Sequence, residues 1–221
     1  MRLSALSLVA LLALSHARAA PAASLAKTAA PAAAEVSLDE LLGRFRRAPG
    51  LFARFTEEKH LAMLDSPIVT RGTIHFVPPR RLARRAQSPI ASTLIIDGDK
   101  LQMGDSSGKQ ELDLGTNPVA RMFVDSFVKL LAGDKAGLER IFKIQLSPRP
   151  KDGWQMVLVP RLPPMDKLIK DLTVRGEGLM VRELDVRESN GDWTQTTFTE
   201  VDVNRRYTPA ELGQIFRMPS Q

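Results

Sequence analysis

The sequence predicts a mainly β fold with helices (α+β): about ten or eleven short antiparallel strands curl into an open barrel whose opening the helices cover. Three observations lead there. Alternating apolar runs are punctuated by turn sequences such as Asp97-Gly98-Asp99 and Gly176-Glu177-Gly178, and tight turns join neighbouring strands antiparallel. The alternation breaks once, at Asn117-Pro118, where apolar residues recur at helical spacing as far as Gly133. A helix that interrupts a single antiparallel meander has to cover a face or the mouth of the curl, and an apolar helix there is a lid.

The first helix starts at Ser37, an N-cap with Glu40 three residues on as in a capping box. It carries Leu38, Leu41, Leu42 and Phe45 on one face and stops at Pro49-Gly50. Beyond it, Leu51, Ala53 and Phe55 alternate with Phe52, Arg54 and Thr56 as in a strand. Further strands are expected at 70–77, 81–87 and 93–96; Leu101 and Met103 continue across the Asp-Gly turn, and 110–114 follows. Asn117 caps the central helix and Pro118 fits its first position, with Met122, Phe123, Phe127, Leu130 and Leu131 on one face. Asp134 caps a shorter helix bearing Leu138, Ile141 and Phe142. Strands resume at 143–146, 154–160, 169–175, 179–187 and 193–201.

Ahead of these elements, Arg2, an apolar run from Leu3 to Leu14 and Ala17-Arg18-Ala19 have the order of a secretory signal peptide (1–19) cleaved after Ala19. The run is shorter than the about 18 apolar residues of a membrane-spanning helix. Residues 20–35 form an Ala- and Pro-rich linker, and 36–221 are expected to form one domain long enough to enclose a cavity. The chain has no Cys, so it has neither a disulfide framework nor a lipidated N-terminal cysteine. The expected product is soluble and secreted or periplasmic.

The formal charge of +6 is modest, and two of the basic residues, Arg2 and Arg18, lie in the leader. Basic residues gather at Arg80-Arg81-Leu82-Ala83-Arg84-Arg85, but stacking aromatics are scarce. The expectation is a solvated strand face and no nucleic-acid partner.

No catalytic set is legible. Behind the leader the histidines are His60 and His75, without the spacing of a zinc site, so no metal or cofactor is expected. Gly104-Asp105-Ser106-Ser107-Gly108 matches G-x-S-x-G by letter, and Ser106 to Lys109 and Ser126 to Lys129 match S-x-x-K, but the first two fall where Gly108 separates two short strands, not at the strand-to-helix elbow that a nucleophilic serine needs. Glu57 and Glu58 fall on opposite strand faces, and Asp97 and Asp99 belong to a turn, so neither pair reads as an acid–base couple. A binding protein is expected, not an enzyme. Its inward candidates are Leu, Ile, Val, Phe and adaptable Met side chains, which suit an irregular apolar ligand.

The order of these features resembles the LolA-type outer-membrane lipoprotein carriers, in particular their divergent LolA-like relatives. Leu51 to Lys59 (LFARFTEEK) is similar to the family's first strand, h-x-A-x-F-x-Q/E. Ser66 to Phe76, followed by Pro79 and Leu82, is similar to its G-x-h-x-h-x-x-P-x-x-h hairpin, and Ser92 to Leu101 to its h-h-x-D-G-x-x-h hairpin. Phe198-Thr199 and Ile215-Phe216 with a following Pro also fit. The resemblance implies an unclosed barrel with an apolar concave face under helices. It also implies a monomeric periplasmic carrier of acylated lipoprotein or lipid cargo, loaded by an inner-membrane transporter and unloaded to an outer-membrane acceptor. Typical members place an Arg before the Pro of the second hairpin to hold the lid; here Pro78 stands there, and Arg80 or Arg81 is the available substitute. Another acyl or polyene compound as cargo, and a non-catalytic protein-interaction module, are the alternatives.

On strand parity the expected cavity residues are Leu51, Ala53, Phe55, Ile74, Phe76, Leu94, Ile96, Leu101, Met103, Met156 and Leu158. Met122, Phe123, Phe127 and Leu130 are the expected lid residues.

Overall fold

A computed structural model describes residues 37–219. The signal peptide and the linker expected from the sequence lie outside the described residues. Helix α1 (Leu38–Arg47) leads into strands β1 (Leu51–His60), β2 (Ile68–Val77), β3 (Arg81–Ser88), β4 (Ser92–Asp97), β5 (Lys100–Asp105) and β6 (Gly108–Asp113). Helices α2 (Pro118–Leu131) and α3 (Lys135–Ile141) follow, then β7 (Phe142–Arg149), β8 (Gly153–Pro160), the short α4 (Met165–Leu168), β9 (Ile169–Glu177), β10 (Met180–Glu188), β11 (Trp193–Asp202) and α5 (Pro209–Ile215).

All eleven strands belong to one sheet in the order β6-β5-β4-β3-β2-β1-β11-β10-β9-β8-β7, every strand pairing being antiparallel. Two meanders therefore meet at a central seam, where β1 pairs with β11. The outer strands β6 and β7 are consecutive in the chain but unpaired, so the barrel is not closed. Because α2 and α3 connect those two edges, the chain itself carries the helices across the opening. This is the unclosed antiparallel barrel with a helical lid that the turn pattern predicts.

Local chemistry sets the helix ends. The Asn117 side chain accepts from the Ala120 backbone N–H at 2.9 Å, and Pro118 occupies the first turn of α2. Ser37 caps α1 at 3.2 Å, but Glu40 turns to Arg44 one helical turn on. Asp134 accepts from the Gly137 N–H at 2.9 Å and starts α3. Gly133 ends the α2 run at φ +64, and a Cβ there would stand 2.1 Å from the Leu42 carbonyl oxygen of α1. Only glycine allows both the left-handed turn and that approach.

Helix α5 is absent from the sequence-level expectation, although Thr208-Pro209-Ala210-Glu211 is a capping-box sequence and the reciprocal bonds form. It lies against β3, where the Arg85 guanidinium donates to the carbonyls of Gln214, Ile215 and Arg217 at 3.1, 2.8 and 2.8 Å. The Gln214 and Ile215 carbonyls are among those that a helix C-terminus leaves unpaired.

The basic run on β3 is therefore not a solvated face. Arg80 reaches α2, Arg81 pairs with Asp97 at 2.7 Å and lies over the Phe216 ring, Arg84 turns inward to Glu57, and Arg85 caps α5. Alternation along a strand sends neighbouring arginines to opposite faces, and each face supplies partners that sequence spacing alone does not show.

Candidate functional site: an apolar cavity under the lid helix

Two packed clusters occupy the wings of the concave face. Phe76, Leu82, Ile96 and Leu101 pack with Ala120, Val124 and Val128 of α2 on one side. On the other, Leu41, Leu42 and Phe45 of α1 and Leu138 of α3 pack with Trp154, Met156, Leu158 and Val174. Between them lies a cavity of about 230 Å³. Strands β1 to β4 line it with Leu51, Ala53, Phe55, Ile74, Leu82, Leu94 and Ile96. Strands β9 to β11 contribute Val174, Val181, Leu184, Val186 and Phe198, joined by Val201, and α2 roofs it with Phe123, Val124, Phe127, Leu130 and Leu131.

Of the residues singled out from sequence, Leu51, Ala53, Phe55, Ile74, Leu94 and Ile96 line this space, as do Phe123, Phe127 and Leu130 of the lid. Phe76 and Leu101 are buried beneath α2 instead, with Met103 packed against them. Met156 and Leu158 are buried beneath α1 and α3, and Met122 packs against that second cluster. The parity of these strands is as read; what strand alternation does not reveal is where the helices press flat onto the sheet and fill the space.

The second half of the lining escaped sequence reasoning, and two β-bulges explain part of it. In β11 the register against β1 shifts between Phe52 and Arg54, and Glu200 takes φ 50, so Phe198 and Val201 both line the cavity although their numbers differ in parity. In β10 the register shifts between Val181 and Glu183, and Val181 and Leu184 share the cavity in the same way. A bulge inserts one residue and re-aims every side chain beyond it.

Four polar residues also line the cavity: Glu57, Arg84, Thr194 and Thr196. Arg84 Nη2 donates to Glu57 Oε1 at 2.9 Å, and the guanidinium lies 4.3 Å from the centre of the Phe55 ring. Burial pushes the Glu57 carboxyl above its usual range, opposed by the Arg84 charge and by hydrogen bonds from Arg84 and Thr196. A carboxylate so placed depends on its partner, because an unpaired buried charge is strongly destabilising.

The lid helix is held from outside the cavity. Arg80 Nη1 donates to Asp125 Oδ1 of α2 at 2.5 Å, and Arg80 Nε donates to the Gly98 carbonyl at 2.9 Å. Arg121 of α2 pairs with Asp99 in the same turn, and its Nε donates to Leu114 O at 3.1 Å. Of the two arginines available to take the place of the family's lid residue, Arg80 is the one that meets the lid; Arg81 faces away.

The two histidines among the described residues have packing roles. His75 Nδ1 lies 3.2 Å from the Tyr207 hydroxyl, which donates to Leu51 O at 2.8 Å, and His60 stacks on Trp193 with ring centres 3.9 Å apart. Among the described residues no three His, Cys, Asp or Glu side chains converge as a metal site requires, and no helix is long and apolar enough to cross a membrane.

An open antiparallel barrel whose helices roof an apolar cavity defines a class of cavity-forming binding proteins. The family model described as outer membrane lipoprotein carrier protein LolA-like matches residues 29–205, and the chain belongs to that family. Among solved structures it is similar to a LolA superfamily protein from Nitrosomonas europaea, with 9% identity over 80% of this chain and 97% of that one and a TM-score of 0.43. It is also similar to the Pseudomonas aeruginosa MucA/MucB complex structure, with 12% identity, 79% and 60% coverage and a TM-score of 0.49. For the Mycobacterium tuberculosis lipoprotein LppX the figures are 8%, 76% and 97%, and 0.35. Among curated proteins no sequence match is found.

Proposed function

We propose that this chain is a periplasmic carrier that shields the acyl chains of lipoproteins in its cavity during transfer from the inner to the outer membrane. The observation that carries the proposal is the cavity itself, apolar along both sheet halves and closed by a helix whose inner face bears Phe123, Phe127 and Leu130. Each CH2 shielded from water is worth about 0.8 kcal/mol, so a chain of ordinary length cannot cross an aqueous compartment uncovered. The leader at residues 1–19 supplies the route to the periplasm. In this reading a membrane transporter donates the cargo, an outer-membrane protein accepts it, and the carrier works as a monomer without cofactor or metal.

At about 230 Å³ the cavity is smaller than the ~300–1,000 Å³ of sites for drug-sized ligands. Several acyl chains therefore enter only when α2 lifts. Native mass spectrometry with organic extraction, on mature protein purified from its own periplasm, tests the proposal. A co-purifying acylated polypeptide supports it. A free lipid or polyene keeps the carrier and replaces the cargo, and an empty protein that also ignores a fluorescent fatty-acid analogue leaves a protein-interaction module in its place.

A further inference from the structure

The polar lining of the cavity is gathered at one end. Glu57 and Thr196 are direct partners across the β1–β11 seam, and Thr194 lies two residues further along the same strand face, opposite Lys59. Arg84 reaches this group from β3 through its hydrogen bond to Glu57. The rest of the lining is apolar, so a chain in the cavity has one place at which a polar end finds partners.

The charges decide which polar end fits. Glu57 already accepts from both Arg84 and Thr196 and is the more buried of the ion pair, its side chain 9% exposed against 19% for Arg84. A guanidinium has five N–H donors in a fixed fork that matches carboxylate and phosphate oxygens, and one carboxylate oxygen takes only part of that capacity. Arg84 meets Glu57 through Nη2, one of the five N–H groups of its fork, whereas Glu57 already has two donors.

We infer that the cluster is a head-group site and that the cargo is an acyl chain ending in an anionic oxygen head, a carboxylate or a phosphate ester, held by Arg84 while the chain runs along the apolar wall. This rests on the carrier reading above with a free lipid in place of a lipoprotein as cargo, since lipoprotein acyl chains end in neutral ester and amide linkages and offer Arg84 no anion. In the empty protein Glu57 neutralises Arg84 and makes its burial tolerable; when cargo enters, the anion shares the guanidinium and Glu57 competes with it.

Delipidated mature protein is titrated with palmitate, with palmitoyl lysophosphatidate and with methyl palmitate, whose chain is the same but whose head is uncharged. In the unaltered protein both anions bind more tightly than the ester. In the double variant Arg84→Met, Glu57→Gln the ratio of anion to ester affinity falls about tenfold or more, as expected for loss of a charge-assisted bond. Glu57→Gln alone, which is isosteric and leaves Arg84 in place, raises that ratio and keeps the test decisive should the double variant not fold. Preference for one anion over the other identifies the source of the head group, free fatty acid or phospholipid, and supports the site. An unchanged ratio in the double variant, a fall in the single one, or a preference of the unaltered protein for the ester overturns the inference and leaves the carrier reading standing. Failure of all three ligands to bind overturns the head-group site, and the carrier reading falls with it only if the protein also comes empty from its own periplasm.

Discussion

Breaking the Arg80–Asp125 pair should loosen the lid helix by an amount the structure bounds. The side chains are 23% and 18% exposed and meet at 2.5 Å, between the exposed pairs worth about 0–1 kcal/mol and the buried ones whose disruption costs about 3–5 kcal/mol. A coupling of about 1–2 kcal/mol follows, which multiplies the open population of α2 by roughly 5–30. Lys129 stands 3.5 Å from the other Asp125 oxygen, so Asp125→Asn takes a partner from two cations, which keep only Asp134 and Asp99 at 3.7 and 3.6 Å, and is the harsher single change. A cycle of Arg80→Met, Asp125→Asn and the double variant isolates the pair. Hydrogen exchange of the α2 amides is the assay, with β8 in the same molecule as the internal reference. Each single variant should speed α2 exchange within that range, and the double variant should add little to the worse single. Unchanged α2 exchange in both singles, or effects that simply add, would refute the idea that this pair holds the lid.

Replacing Phe127 with Asp puts an unpaired carboxylate into the cavity roof, and binding of a fluorescent fatty-acid analogue should be lost while the circular-dichroism spectrum is kept. Gly133→Ala, forced into a left-handed turn 2.1 Å from Leu42 O, should cost about 2 kcal/mol or more and lower Tm by roughly 4–8 °C in a thermal melt. Glu188 titrates at about 7 instead of the ordinary 4.5, raised first by burial and then by Asp192, with Lys59 opposing. A carboxyl raised in the folded state stabilises it while protonated, so this contribution is complete below pH 4.5 and is lost as pH rises through about 7. Melts across that window should show Tm falling for this reason, and Glu188→Gln should flatten the slope.

Sequence reasoning recovers what is locally encoded. Asn117-Pro118 and Gly133 delimit α2, Asp97-Gly98-Asp99 makes the β4–β5 turn, and odd-numbered residues of β1 face the cavity because alternation has a period of two. The unread part depends on long-range partners. Arg80, Arg81, Arg84 and Arg85 look alike in the chain, yet each answers to a different element, and only the folded sheet assigns them. The bulges in β10 and β11 carry no obvious glycine; Glu200 itself adopts the left-handed conformation, so parity counted from the strand start fails beyond it. The capping box of α5 is legible in Thr208 to Glu211, but a seven-residue helix with no buried residue lacks the apolar stripe that normally marks one.

The seam between β1 and β11 also sets a hazard during folding. Each meander assembles from neighbouring hairpins at little cost in loop closure, whereas Phe55 meets Phe198 across most of the described chain. Until β11 follows all the other strands into place, β1 is a bare sheet edge with Leu51, Ala53 and Phe55 on one face, the kind of edge that recruits strands from other molecules. The strand that ends at the centre of the finished sheet is thus the most aggregation-prone one on the way there. A partner that holds unfolded chains should act chiefly by covering it.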